Sequence, residues 1–327
     1  MTVTVIRSTP ASRAVLVTGA ALVLVGASLP FWAEPSWLRE FVEIAAYFIF
    51  AMMWNLLAGY GGMVSVGQQA YFGIGGYVML VMGNFLGINP FVAIPLAALV
   101  AAALAVPISW VAFRLQGGYF SIGTWVIAEV VRLTVANISL VGGGSGTSLT
   151  ALRGISRTTR QYTTFWVALA CVTATVGLVY LFLRSKEGLA LLAIRDSEVA
   201  AESQGVAVQR MKLAVYVVAA LGCGLAGALY FVSNLRISPD AAFGVNWTAF
   251  AIFIVMIGGI GRIEGALAGA LVFWALNKFL SDYGTWYQLG LGLLAVLMTL
   301  GLRQGLAGFI EEKLRFELLP IQRRLKL

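Results

Sequence analysis

Long apolar runs separated by short polar clusters organise this chain, and their length decides what they can form. A helix needs roughly 20 apolar residues to cross a hydrocarbon core of ~30 Å. Windows of that kind fall at 14–33, 41–58, 63–82, 91–111, 117–137, 163–183, 213–232, 247–260, 265–280 and 286–302. The pattern predicts an all-α polytopic membrane protein of about ten transmembrane helices, built as a single transmembrane domain over residues 1–327. The third, eighth and ninth windows are short or rich in glycine, so their ends are the least sharply defined. The first is too long for a secretory leader and lacks a small-residue cleavage site, so it is expected to be a retained span.

Composition removes the alternatives. The chain is 60% hydrophobic and only 11% charged, where a soluble domain carries about a quarter charged residues. With a mean hydropathy of +0.89, 327 residues cannot hide so much apolar surface in their own core, so the solvent must be lipid. A soluble enzyme, a secreted disulfide scaffold and a disordered chain are excluded. The absence of histidine removes histidine metal sites, haem axial histidines and histidine acid–base chemistry. Cys171 and Cys223 lie in apolar stretches and read as small buried hydrophobes.

The net charge of +8 becomes informative once the charges are placed. With both termini in the cytoplasm, 15 Lys and Arg residues fall on the cytoplasmic side and 6 on the other, and Arg132 lies within a span. This bias is the positive-inside rule. It explains the basic balance as topology, with no nucleic-acid partner.

Two loops are long enough to act. Residues 138–162, on the outer side, are rich in Gly, Ser and Thr; residues 184–212 face the cytoplasm. Within the second, Asp196-Ser197-Glu198-Val199-Ala200-Ala201-Glu202-Ser203-Gln204-Gly205 has the parts of a short isolated helix. Asp196 is the expected N-cap, the acids sit near the positive end of the dipole, and Gly205 can take the left-handed conformation that ends it. Ala200 and Ala201 would offer a small-residue face. A helix of about ten residues is marginal alone in water, so either another surface packs on it or it is a solvated connector.

Polar residues inside the spans are the other candidates. Residues 59–76 contain seven glycines together with Ser65, Gln68 and Gln69, and Asn55 lies just upstream. Irregular backbone at membrane depth survives only inside protein or beside water. The segment therefore either lines a translocation pathway or packs closely through interhelical hydrogen bonds. The stretch Gly117–Thr124 opens the fifth span with a similar mixture and adds Ser121 and Thr124 to the pathway set, while Tyr119 and Phe120 suit interfacial anchors. Glu129 and Arg132 are three apart on one helical face and are expected to form a structural ion pair, roughly 18 and 22 Å into the span on the outer side. Gly258-Gly259-Ile260-Gly261-Arg262 echoes Gly59-Tyr60-Gly61-Gly62. No Gly-Lys-Ser/Thr follows any glycine run, so a phosphate loop is rejected.

Several of these stretches together are recognisable. Ala200-Ala201-Glu202-Ser203-Gln204-Gly205 resembles the coupling segment of ABC-importer permeases, with the usual glutamate displaced to Glu198. The run Ala193–Ala201 is similar to the branched-chain amino acid permease family, in its LivM-type branch. So are Asn55–Gly62, Ser65–Gly75, Gly118-Tyr119-Phe120 leading to Glu129–Arg132, and Leu302–Gly308. The matching stretches run in order from about residue 45 to 308. Two positions depart from the family: Gly142–Gly146 replaces a Thr-Gly-Gly pattern, and Gln68 stands where histidine is frequent.

The resemblance implies the ABC-importer permease fold in a bacterial-type inner membrane. It implies a second homologous permease subunit, two cytoplasmic ABC ATPase subunits and a periplasmic or extracellular substrate-binding protein. ATP and Mg would sit on partner subunits, with no cofactor on this chain and no catalytic site. Arg195, Asp196, Ser197, Glu198, Ala200, Ala201 and Gly205 become the ATPase-coupling set. Asn55, Ser65, Gln68, Gln69, Ser121 and Thr124 become the pathway set. The cargo would be a branched-chain or related hydrophobic amino acid, with urea, amides or aromatic acids as alternatives. An ion-coupled secondary transporter is the rival from another class, and the sparse intramembrane charge argues against it.

Overall fold

The computed structural model describes residues 4–6, 10–280, 283–301, 304–314 and 324–326. The described helices are α1 (Pro10–Ser28), α2 (Pro35–Asn55), α3 (Gln69–Asn84), α4 (Pro90–Ala112), α5 (Gly118–Ala136), α6 (Arg157–Leu183) and α7 (Lys186–Asp196). They continue with α8 (Glu198–Ser203), α9 (Val208–Asn234), α10 (Pro239–Phe243), α11 (Asn246–Gly258), α12 (Ile263–Leu280), α13 (Thr285–Gly301) and α14 (Gly305–Leu314). Each expected span window contains a helix. Among the described residues, 7 helical stretches are long and apolar enough to cross a membrane, and shorter apolar helices cover Ala21–Phe31 and Leu289–Met298.

Local chemistry sets the ends. Pro90 opens α4 with its preset φ, and the Asn89 side chain accepts from Phe91 N at 3.0 Å. Ser156 caps α6 by accepting from Thr159 N at 3.1 Å. α2 does not stop at Asn55; it widens into a π-turn over Leu56–Tyr60 and ends where Gly62 takes φ +68°.

The third window is the largest departure from expectation. Its helix begins only at Gln69, and residues 62–68 run without helical structure. Gly62 breaks the helix, and side chains then take backbone donors that would otherwise form a helical ladder. Thr124 Oγ1 accepts from Val66 N at 3.1 Å, and Ser65 Oγ from Gly67 N at 3.3 Å.

The centre of the bundle is α9, packed against α2, α3 and α4. What lets the backbones approach is small residues. A Cβ on Gly75 would collide with the Gly224 carbonyl, one on Gly227 with the Phe72 carbonyl, and one on Gly224 with Ala101. Beside this seam, Phe72 and Trp247 pack in a tilted pair with ring centroids 4.0 Å apart, and Tyr47, Tyr230, Phe250 and Phe273 close around them. Cys223 is buried and Cys171 half-buried, both free thiols within apolar packing.

On the predicted outer side, the 138–162 loop is more ordered than its composition suggests. Its β2 (Thr147–Ser148) pairs antiparallel with β3 (Arg236–Ile237), and Asn84 Oδ1 accepts from Thr150 N at 2.8 Å and Ala151 N at 3.1 Å. At the chain ends, β1 (Thr4–Ile6) pairs antiparallel with β4 (Arg324–Lys326).

Candidate translocation and coupling site

Residues 62–68 thread between α2 and α5, and they gather most of the pathway set. Trp54 Nε1 donates to Ser65 O at 2.8 Å, and Ser121 Oγ donates to Val64 O at 2.5 Å. Gln68 Nε2 reaches Ser65 Oγ at 3.3 Å, while Gln68 Oε1 faces the Cys223 thiol at 3.6 Å. Ser65, Gln68 and Thr124 are buried; Ser121 lies on the wall of an open cleft. In this conformation the polar atoms of the segment bond to one another and to α5, in the close-packed manner set against a pathway at the outset. Gln69 belongs to a different contact: its Oε1 accepts from Thr248 Oγ1 on α11 at 2.5 Å.

Asn55 also sits apart, in a joint between two glycine runs. Its Nδ2 donates to Arg262 O at 2.9 Å and its Oδ1 accepts from Gly261 N at 2.8 Å. A Cβ on Gly59 would overlap the backbone of Gly261. The two glycine runs that echo each other in sequence therefore meet in space, clamped by one buried amide. Arg262 continues the joint outward by pairing with Glu311 on α14. Of the matched stretch 302–308, Leu302 and Arg303 lie outside the described residues.

The cytoplasmic loop corrects the expected helix in three ways. It is not isolated, because α7 precedes it directly. Ser197, not Asp196, is its N-cap: Ser197 has extended backbone and its Oγ accepts from Ala200 N at 3.3 Å. Asp196 ends α7 and pairs with Arg195 at 3.0 Å. The reason is phase: α7 carries its last turn through Asp196, leaving only Ser197 free to leave helical geometry. Finally, Ala201 is turned inward, 3% exposed against Ile194 and Val208, whereas Val199 at 80% and Ala200 face out. Gly205 ends the helix with φ +84°, and Val206 N closes back on Ala201 O at 3.1 Å.

Arg195 ties this loop to the bundle. Its Nη1 donates to Gly59 O at 3.2 Å, inside the π-turn, and Gly62 approaches its side chain closely. Glu198 pairs with Lys212 at the start of α9. Glu187, in the first turn of α7, is held below the usual carboxylate range by the Ser185 hydroxyl and its own backbone N–H.

Between α8, the start of α9, residues 62–64 and the first turn of α5 lies a cleft of about 570 Å³. Toward the other end of α5, Glu129 and Arg132 form the expected pair, with Arg132 Nε 3.0 Å from both carboxylate oxygens. Arg132 also bonds Asp240 of α10 at 2.5 Å. Sequence reasoning missed Asp240, although the Ser238-Pro239-Asp240 run is a helix-start signal. Among the described residues no group of three or more Cys, Asp or Glu is placed to hold a metal ion.

Comparisons with known proteins agree with this architecture. The family model described as branched-chain amino acid transport system / permease component matches residues 38–302. The chain is 28% identical to the high-affinity branched-chain amino acid transport system permease protein LivM of Salmonella typhimurium, covering 91% of this chain and 76% of that one. It is 27% identical to a probable LivM of Methanocaldococcus jannaschii, over 82% of this chain and 91% of that one. A shorter similarity, 30% over 40% of each chain, links it to the fructose import permease protein FruG of Bifidobacterium longum. No solved structure matches the chain.

Proposed function

This chain belongs to the family of branched-chain amino acid transport permease components, and from that premise we propose that it is one transmembrane half of an ATP-driven importer for branched-chain or related hydrophobic amino acids. A second, homologous permease completes the pathway, two cytoplasmic ATPases bind ATP and Mg, and a binding protein outside delivers the cargo. The chain makes ten crossings of a bacterial-type inner membrane with both termini in the cytoplasm. The charge bias and the β1–β4 pairing that brings the two ends together both support that topology.

The observation that carries the reading is the mounting of α8. α8 is held on the bundle through Ala201 and Glu198, with Arg195 of the adjoining α7 tied to Gly59, and its exposed Val199 and Ala200 are free to meet a partner. ATPase closure then pulls on α8. The pull passes through Arg195 to the Gly59 carbonyl, and so to the extended segment that follows. Transport is the differential stabilisation of outward- and inward-open bundles, with no chemistry on this chain. Ser65, Gln68, Gln69, Ser121, Thr124 and Asn55 are the groups that exchange partners as the bundle switches.

The deciding experiment is reconstitution of the co-purified complex in vesicles. Leucine uptake that needs ATP, the ATPases and the binding protein is expected, and uptake by this chain alone under an ion gradient overturns the reading. Uptake of urea, amides or aromatic acids in place of leucine would revise the cargo alone. Val199→Arg changes an exposed position, so the complex is expected to assemble less tightly with its ATPases while the chain itself stays folded.

A further inference from the structure

The cleft beside α8 includes Ser121, Glu198 and Val199, which have roles above, but those roles leave its combination of apolar wall and ion pair unused. Its walls are apolar on one side, from Met63, Val64, Phe113 and Phe120, and charged on the other, where Glu198 of α8 faces Lys212 of α9. At about 570 Å³ it has room for a small molecule. The Lys212 side chain is only 16% exposed, while Glu198 is 53% exposed, so the pair is anchored at the lysine end and open at the glutamate. The first turn of α5, whose N-cap Gly117 has no side chain to offer, borders the same space and adds positive field.

We propose that this cleft is a cytoplasmic binding site for the zwitterion of a hydrophobic amino acid, and that its occupancy loosens α8 from α9. The inference rests on the importer reading for its orientation. Chemically, an α-carboxylate on Lys212 and an α-ammonium on Glu198 replace one ion pair by two, while the side chain lies on the apolar wall. A ligand with only an ammonium leaves the half-buried lysine without a partner, a larger penalty than a ligand with only a carboxylate incurs by leaving the exposed glutamate free. Because the two charged residues belong to different helices, inserting a ligand between them separates the helix that the ATPases would hold from the helix at the bundle centre. Accumulated product then acts back on the coupling element.

The test uses the full complex in nanodiscs, without nucleotide or binding protein. It is titrated with L-leucine, with isocaproate, which keeps only the carboxylate, and with isoamylamine, which keeps only the ammonium. Saturable leucine binding is expected, with isoamylamine weaker by about tenfold or more and isocaproate weakened by less. Lys212→Met is expected to lose leucine binding by a similar factor and Lys212→Arg to retain it. Gln209→Trp, which fills the cleft from an exposed position, provides a second loss should Lys212→Met fail to assemble. In vesicles, leucine on the cytoplasmic side is expected to slow uptake by the unmodified complex and not by the Gln209→Trp complex, whose Glu198–Lys212 pair is intact. No saturable binding, equal binding of isoamylamine, or full binding by Lys212→Met overturns the site. Uptake that persists without such binding rejects this inference alone, whereas absent ATP-dependent uptake rejects the importer reading beneath it.

Discussion

α9 and α5 are both apolar enough to cross a membrane, yet they live in different surroundings. The α9 span has a hydropathy of 2.0 and is 72% buried; the α5 span has a hydropathy of 1.3 and is 17% buried. If lipid alone covered the bundle, the more apolar helix would be the better one to leave outside. The inversion shows that apolarity does not decide position here. α9 is central because its glycines and alanines let three neighbours reach its backbone, and interhelical packing in lipid is driven by such contact. α5 carries Ser121, Thr124, Glu129 and Arg132 along with exposed Tyr119, Trp125 and Val130. α5 is the rim of this bundle, and α9 is the fixed post.

Substitutions can break or sharpen that contrast. The largest effect is expected at the seam. Gly75→Val drives a side chain into the Gly224 carbonyl and should cost about 3 kcal/mol, seen as loss of monodisperse protein in detergent. Val126→Leu on the open face of α5 should stay within about 0.5 kcal/mol. If the two behaved alike in thermal unfolding, the post-and-rim distinction would fail.

Asn55→Ala comes next. It removes both clamps on the 261–262 backbone and leaves the Gly261 N–H without its partner, for about 1–3 kcal/mol. Asn55→Asp keeps the acceptor for Gly261 N but sets a buried carboxylate oxygen against the Arg262 carbonyl, so it should lose at least as much, and the comparison of melting temperatures sharpens the joint. Ser197→Ala should remove about 1 kcal/mol from α8 alone. Hydrogen exchange would rise over residues 198–203 while the melting temperature of the bundle holds. A bundle that softened with it would show that α8 is part of the post.

The smallest effect is expected at Glu129–Arg132, whose side chains are 44% and 24% exposed. A double-mutant cycle with Glu129→Gln and Arg132→Gln should give a coupling of only about 0.6 kcal/mol in stability, the scale of polar contacts within membrane-spanning helices. A larger transport defect than that coupling accounts for would assign the pair to the rim's function.

Much of the architecture was legible in the sequence because lipid imposes a length rule on each apolar run, and every expected window holds a helix. The Glu129–Arg132 pair was legible because helical spacing fixes neighbours three apart. Thr248 as the partner of Gln69, and Gly261 as the partner of Asn55, were not. Those contacts join residues 179 and 206 positions apart, and no local period encodes which helices meet. The cap of α8 was missed by one residue because Asp196 and Ser197 are both good caps, and the choice depends on where the preceding helix ends. The cleft was invisible for the same reason: its walls come from four separate stretches.

Residues 62–68 bear on how the chain enters the membrane. Not all of their backbone groups are satisfied locally, and unpaired peptide groups are not tolerated in hydrocarbon. The acceptor for Val66 N is Thr124 Oγ1, 58 residues further along the chain. Val66 N–H therefore meets this acceptor only once α5 has emerged, and insertion is expected to be cooperative over at least that length. Nascent chains ending before Thr124 should stay at the insertion machinery, and chains that include all of α5 should be released into lipid.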